Sequence, residues 1–146
     1  MEQLIEKLKI YHATNFAFYL KLHFFHWNVE GPNFPQYHEL FADLYGDVHG
    51  AVDNIAEHIR ALQAYAPGSF TRFSAMSVVA DQIDPISAQE MITIAMADNV
   101  KVMFMIANLD KMASEAGEIG LSNFLQARHE IHRKHQWMLR ATSKPM

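Results

Sequence analysis

The side chains best suited to chemistry fall in one stretch of the chain: His23, His26, His38, Asp43, His49, Asp53, Glu57 and His58. His49, Asp53 and Glu57 are spaced i, i+4, i+8, which stacks them on one face of a helix. Two carboxylates and an imidazole in one stripe are ligand material for hard or borderline cations. Taken alone, such a stripe is more often a solvated helix face. His26 and His38 flank a short Gly31-Pro32 turn, so two successive helices can bring them face to face. Taken singly, either histidine is more often a hydrogen-bonded core residue than a ligand.

His38 and Asp53 raise a problem of reach. On one continuous helix their fifteen-residue separation corresponds to about 22 Å. One subunit cannot close them on the same ion unless the helix breaks. Three arrangements stay open at this point. The groups are unrelated, or they form two sites, or one subunit supplies His38 and another supplies Asp53 and Glu57.

Composition narrows the alternatives. The chain has 146 residues, half of them hydrophobic and only 19% charged, which suits one domain with a real core rather than a disordered segment. There is no cysteine, so disulfides, thiolate chemistry and cysteine-held metals are excluded, and any metal must use nitrogen and oxygen ligands. The net charge of -4 gives no footprint for nucleic acid or an anionic membrane. Residues 1–9 do not have the pattern of a signal peptide, and no apolar run approaches the ~20 residues needed to cross a bilayer. A soluble, cytoplasmic protein is expected.

The elements that must position these groups are helical. Residues 2–29 carry an apolar stripe at alternating three- and four-residue steps from Leu4 to Phe25, with Asn15 filling one step. Gly31-Pro32 ends that helix. A second helix is expected from a cap at Asn33, with Pro35 in its first turn, to a stop at Ala66-Pro67-Gly68. A long connection over 69–85 follows, with a short helix expected at 76–80. Ser87 and Glu90 fit a capping box for a third helix, which Gly117 and Gly120 break. A fourth runs from about Leu121 to Arg140, and Lys144-Pro145-Met146 forms a short tail. This predicts an all-α protein: a four-helix bundle with a long crossover carrying a short extra helix.

The segment His26-Trp27-Asn28-Val29-Glu30-Gly31-Pro32-Asn33-Phe34, then His38-Glu39, then Asp53-Asn54-Ile55-Ala56-Glu57, resembles the Dps (DNA protection during starvation) family of mini-ferritins, within the ferritin-like superfamily. That family's pattern is HWN-x-x-G-x-x-F, a histidine twelve residues after the first, and D-x-x-A-E-R. The ending Lys134-His135-Gln136-Trp137-Met138-Leu139-Arg140 is also similar, so the resemblance spans nearly the whole chain.

The resemblance implies a dodecameric shell with a ferroxidase centre between two-fold-related subunits. His26 and His38 would come from one subunit, Asp53 and Glu57 from its partner. It implies oxidation of Fe(II) by hydrogen peroxide or oxygen, storage of Fe(III) inside the shell, and protection against oxidative damage. Zinc and manganese suit the same ligands. Trp27 would trap stray oxidising equivalents beside the centre; read simply as a residue, it is a large core side chain.

The chain departs from the family in four places. Ala42 stands where the family has a carboxylate four residues after the second histidine, which implies a weakened iron position; Asp43, His49 and His23 are the candidate substitutes. His58 replaces the arginine after the glutamate. Asn123 replaces a carboxylate of the pores through which cations pass. The few basic residues near the ends predict that DNA binding is absent or minor, with nucleoid association left open. The competing reading is a shell-forming, metal-sequestering or DNA-associated protein with an impaired centre.

Overall fold

The structure is a computed structural model that describes residues 1–145; Met146, the end of the expected tail, lies outside the described residues. Six helices and no strand are found among them: α1 (Glu2–Asn28), α2 (Phe34–Gly50), α3 (Val52–Ala61), α4 (Phe70–Met76), α5 (Ala88–Glu115) and α6 (Ile119–Thr142). α1 packs on α2 and α5, α5 packs on α6, and α4 lies across α1. With α2 and α3 counted as one bent rod, this is the four-helix bundle that the apolar periodicity predicts.

α1 buries Leu4, Leu8, Phe18, Leu22 and Phe25 in the core. It also buries polar groups, each with a distant partner. His12 Nε2 donates to the Pro67 carbonyl at 3.0 Å, and Lys21 Nζ donates to the Ala80 carbonyl at 2.9 Å. Thr14 Oγ1 accepts from the Val78 amide at 3.1 Å. These bonds strap the crossover to α1 and satisfy loop groups that would otherwise lack partners.

The expected second helix is interrupted. Ala51 N–H reaches back only three residues, to Val48 O at 3.2 Å, and the Asn15 side chain donates to the same carbonyl at 3.0 Å. A side chain inserted at the i→i−4 ladder is a known cause of such interruptions. The helix then stops at Ala61, short of the expected Ala66-Pro67-Gly68. Gln63 takes a left-handed φ of 67°, and Ala64 N–H bonds to Ile59 O, a Schellman ending that spacing arguments do not detect. Gly117 (φ 73°) ends α5 in the same way, with Glu118 N–H on Ala113 O at 2.9 Å.

The short crossover helix lies over Phe70–Met76, not over 76–80. Ser69 sets its start by accepting from Arg72 N–H at 3.1 Å, and the 76–80 segment is consumed in the bonds to α1. The capping box at Ser87 and Glu90 forms as expected. Gly120 does not interrupt the chain but lies in the first turn of α6. Contrary to expectation, α5 is long and apolar enough, by length and composition, to cross a membrane. Its inner face carries Asp98 and Asn99, which bond or pair with α1 and α6, as befits the central helix of a bundle.

Candidate metal centre

The Gly31-Pro32 turn, with Gly31 at φ 125°, folds α2 back on α1 and brings His26 against His38. Their rings stack with centroids 3.7 Å apart and planes 18° apart. His26 Nδ1–H donates to the His38 carbonyl at 2.7 Å, and His38 Nδ1–H donates to the His26 carbonyl at 2.8 Å. A carbonyl only accepts, so both protons sit on Nδ1. In each neutral ring the lone pair is then on Nε2, which has no partner among the described residues. Metal-binding histidines have this arrangement, one nitrogen tied to a carbonyl and the other free.

Around the pair stands an aromatic wall. Tyr45 lies 5.2 Å from His26 and stacks on His23 at 3.8 Å. Trp27 covers the other face of His23 at 4.0 Å and is 57% exposed, so it is not the core residue that one reading expected. Tyr19 Oη and His23 Nδ1 share a hydrogen bond of 3.1 Å. Burial holds the His23 imidazole below its ordinary pKa, with repulsion from His26 and His49 adding to this.

Asp53 and Glu57 stand one turn apart on α3, both exposed, with no hydrogen bond or ion pair to another described residue. Asp43 and His49 are also exposed, and the His49 ring lies 4.6 Å from Tyr19. His58 is partly buried against Phe124, their centroids 4.9 Å apart, and makes no ion pair with another described residue. Among the described residues, no three histidine or carboxylate side chains of a single chain converge to hold a metal ion. The chain therefore brings His26 and His38 together but not Asp53 and Glu57 with them.

A second polar cluster escaped the sequence reading. Arg128 grips Asp47 through two 2.9 Å bonds, and His135 Nε2–H adds a third at 2.6 Å. Arg128 Nη2 also donates to His132 Nε2 at 2.9 Å, and His132 Nδ1–H passes to Asn99 Oδ1 at 2.8 Å. Burial opposes ionisation of Asp47, but the bonds from His135 and Arg128 outweigh it and hold the carboxyl well below its usual range. His132 is held well below its ordinary value, first by burial and then by Arg128. Tyr11, fully buried beside this cluster, is pushed up to about 12 by burial, against the pull of Arg128. The available signal was the His129, His132, His135 spacing, which puts three imidazoles along one side of α6.

The model of the ferritin-like domain family matches residues 5–144. The chain is 30% identical over 142 residues to the DNA protection during starvation protein of Brevibacillus brevis, covering 97% of this chain and 95% of that one. It is 31% identical over 144 residues to antigen TpF1 of Treponema pallidum, covering 95% of this chain and 79% of that one. The crystal structure of Dps from Staphylococcus aureus superposes with a TM-score of 0.95 at 27% identity, covering 100% of this chain and 98% of that one. Bundle and crossover together define a ferritin-like protein. More narrowly, the chain belongs to the Dps family of mini-ferritins.

Proposed function

We propose that this protein binds Fe(II), oxidises it at a centre shared between two subunits, and keeps the Fe(III) inside a hollow shell, most simply a dodecamer. The observation that carries this reading is the paired histidines, tied at Nδ1 and free at Nε2, together with two exposed carboxylates elsewhere on the chain, Asp53 and Glu57, that have no hydrogen-bond or ion-pair partner among its described residues. A two-fold partner supplying Asp53 and Glu57 to His26 and His38 would complete a nitrogen–oxygen set suited to Fe(II), with zinc and manganese as competitors. In the reaction two Fe(II) ions each give up one electron. Hydrogen peroxide takes both electrons and, with two protons from water, its O–O bond breaks to give two water molecules, so no one-electron hydroxyl radical is released. Oxygen is the alternative oxidant. Consuming iron and peroxide together would protect against oxidative damage, and membership of the Dps family supports that role.

Ala42 favours a second reading, a shell that sequesters metal but oxidises it slowly. It leaves a methyl group one turn after His38, and the adjacent Asp43 is exposed with no partner among the described residues. The test is to load metal-free protein with Fe(II) without oxygen, add peroxide, and follow ferric absorbance and iron solubility. Fast oxidation with iron retained supports the first reading. Slow oxidation with iron precipitating outside supports the second.

A further inference from the structure

A side chain that can be oxidised stands beside the histidine pair, and the function proposed above does not use it. Tyr19 lies on α1, one turn before His23, partly buried, with its hydroxyl 3.1 Å from His23 Nδ1. In the tautomer with the ring proton on Nε2, Nδ1 accepts a hydrogen bond from that hydroxyl. Tyr45 and Trp27 cover the two faces of His23, with ring centroids 3.8 and 4.0 Å away, but their polar atoms have no hydrogen-bond partner among the described residues. Removing one electron from a phenol makes its proton strongly acidic. The tyrosine with a base at hydrogen-bond distance is therefore the one that gives up an electron most readily. Tyr45 also bridges the gap to the histidine pair: its ring is 6.2 Å from that of Tyr19 and 5.2 Å from that of His26.

The geometry points to Tyr19 and His23 as a one-electron relay that lets a centre holding a single Fe(II) reduce peroxide completely. The relay rests on the ferroxidase reading. Peroxide needs two electrons, and one Fe(II) supplies one. Ala42, a methyl group one turn after His38, withholds a ligand that a second ion could use. Tyr19 supplies the missing electron, and its phenolic proton crosses to His23 Nδ1. With two protons from water, the O–O bond breaks to give two water molecules. The other products are Fe(III), a neutral tyrosyl radical and a His23 imidazolium. A second Fe(II) then returns an electron to Tyr19 while His23 returns the proton, which restores both side chains. The sum is two Fe(II) oxidised per peroxide with one ion bound at a time. His23 thus has a task other than metal ligation: Nδ1 is committed to Tyr19, and Nε2 carries the ring proton.

The test loads full-length, metal-free protein with one Fe(II) per centre without oxygen, adds one equivalent of hydrogen peroxide, and freezes the sample for EPR. Ring-deuterated tyrosine identifies the radical. The parent should give Fe(III) and a tyrosyl signal narrowed by the ring deuterons, and a second equivalent of Fe(II) should erase that signal. Tyr19→Phe should lose the signal and release hydroxyl radical to a spin trap. His23→Gln should lose the signal with its helical circular dichroism unchanged. In D2O the parent radical should show one exchangeable deuteron at its oxygen, the one held by His23. A parallel arm needs no iron: azide radicals oxidise tryptophan in the metal-free protein, and electron transfer from Tyr19 to Trp27 should appear as decay of tryptophanyl and rise of tyrosyl absorbance, slowed in both variants. Fe(III) formation in the parent without a tyrosyl signal, or with a signal unchanged in Tyr19→Phe, overturns the relay and leaves the ferroxidase reading standing. No Fe(III) at any loading overturns the ferroxidase reading instead, and the azide arm then decides the pair: a tyrosyl rise unchanged in Tyr19→Phe overturns it.

Discussion

His26 and His38 fix each other: each donates its Nδ1–H to the other's backbone carbonyl, at 2.7 and 2.8 Å. The relationship sets both tautomers before any metal arrives. It also ties the last turn of α1 to the first turns of α2, so both Nε2 atoms are held by the two helices on either side of the turn.

His38→Ala therefore separates chemistry from stability. One hydrogen bond is lost at a half-buried site, a stability cost of about 1 kcal/mol. Fe(II) oxidation should slow by at least about tenfold, because loss of an orienting or ligating imidazole has effects of that size or larger. Stopped-flow ferric absorbance and a thermal melt on the same sample check both numbers.

Asp53→Ala combined with Glu57→Ala should abolish oxidation and leave the fold intact. Both residues are exposed and unpaired among the described residues of their chain, and such surface substitutions usually change stability by less than about 0.5 kcal/mol. Loss of the helical signal in circular dichroism would make their role structural instead.

Ala42→Glu should restore a carboxylate one turn after His38. We predict faster oxidation and tighter Fe(II) binding, read by anaerobic titration followed by peroxide. An unchanged rate would mean that a side chain such as His49 already does this work.

Acid should weaken the fold in two stages. His132, and less strongly His12, are held below the ordinary histidine value of 6.5. Between that value and their folded values, the unfolded chain binds protons that the native state does not. Stability therefore falls as pH drops below about 6.5, by up to about 1.4 kcal/mol per pH unit for each such histidine. Asp47, depressed in the fold, contributes stability that is present above the ordinary carboxylate value of 3.8 and is lost as pH falls below it. Melting temperatures from pH 8 to pH 3 check the shape, and His132→Gln should flatten the upper limb.

DNA binding should be absent or minor at ~0.15 M salt, since phosphate contacts scale with the number of cations offered. A tight, saturable gel shift under those conditions would refute this.

The helices and the histidine pair were legible because they depend on local rules. Periodic apolar residues give α1, α5 and α6, the Ser87 capping box marks one start, and the Gly31-Pro32 turn brings His26 to His38. What spacing did not reveal depends on distant partners. The interruption at Ala51 involves Asn15, and the course of the 76–80 segment depends on Thr14 and Lys21. Asp47 and Arg128 are 81 residues apart and meet only in the folded bundle. Asp53 and Glu57 have no partner among the described residues of one chain, which is why reasoning about a single helix had to leave their role open.

The most direct test of a shared centre is subunit mixing. One variant lacks the imidazoles (His26→Ala with His38→Ala) and the other lacks the carboxylates (Asp53→Ala with Glu57→Ala). Each alone should be inactive with Fe(II) and peroxide. Assembled together at equal amounts, half of the two-fold pairs are mixed, and each mixed pair regains one of its two centres, so about a quarter of the parent rate should return. No recovery in shells shown to contain both variants would contradict the account.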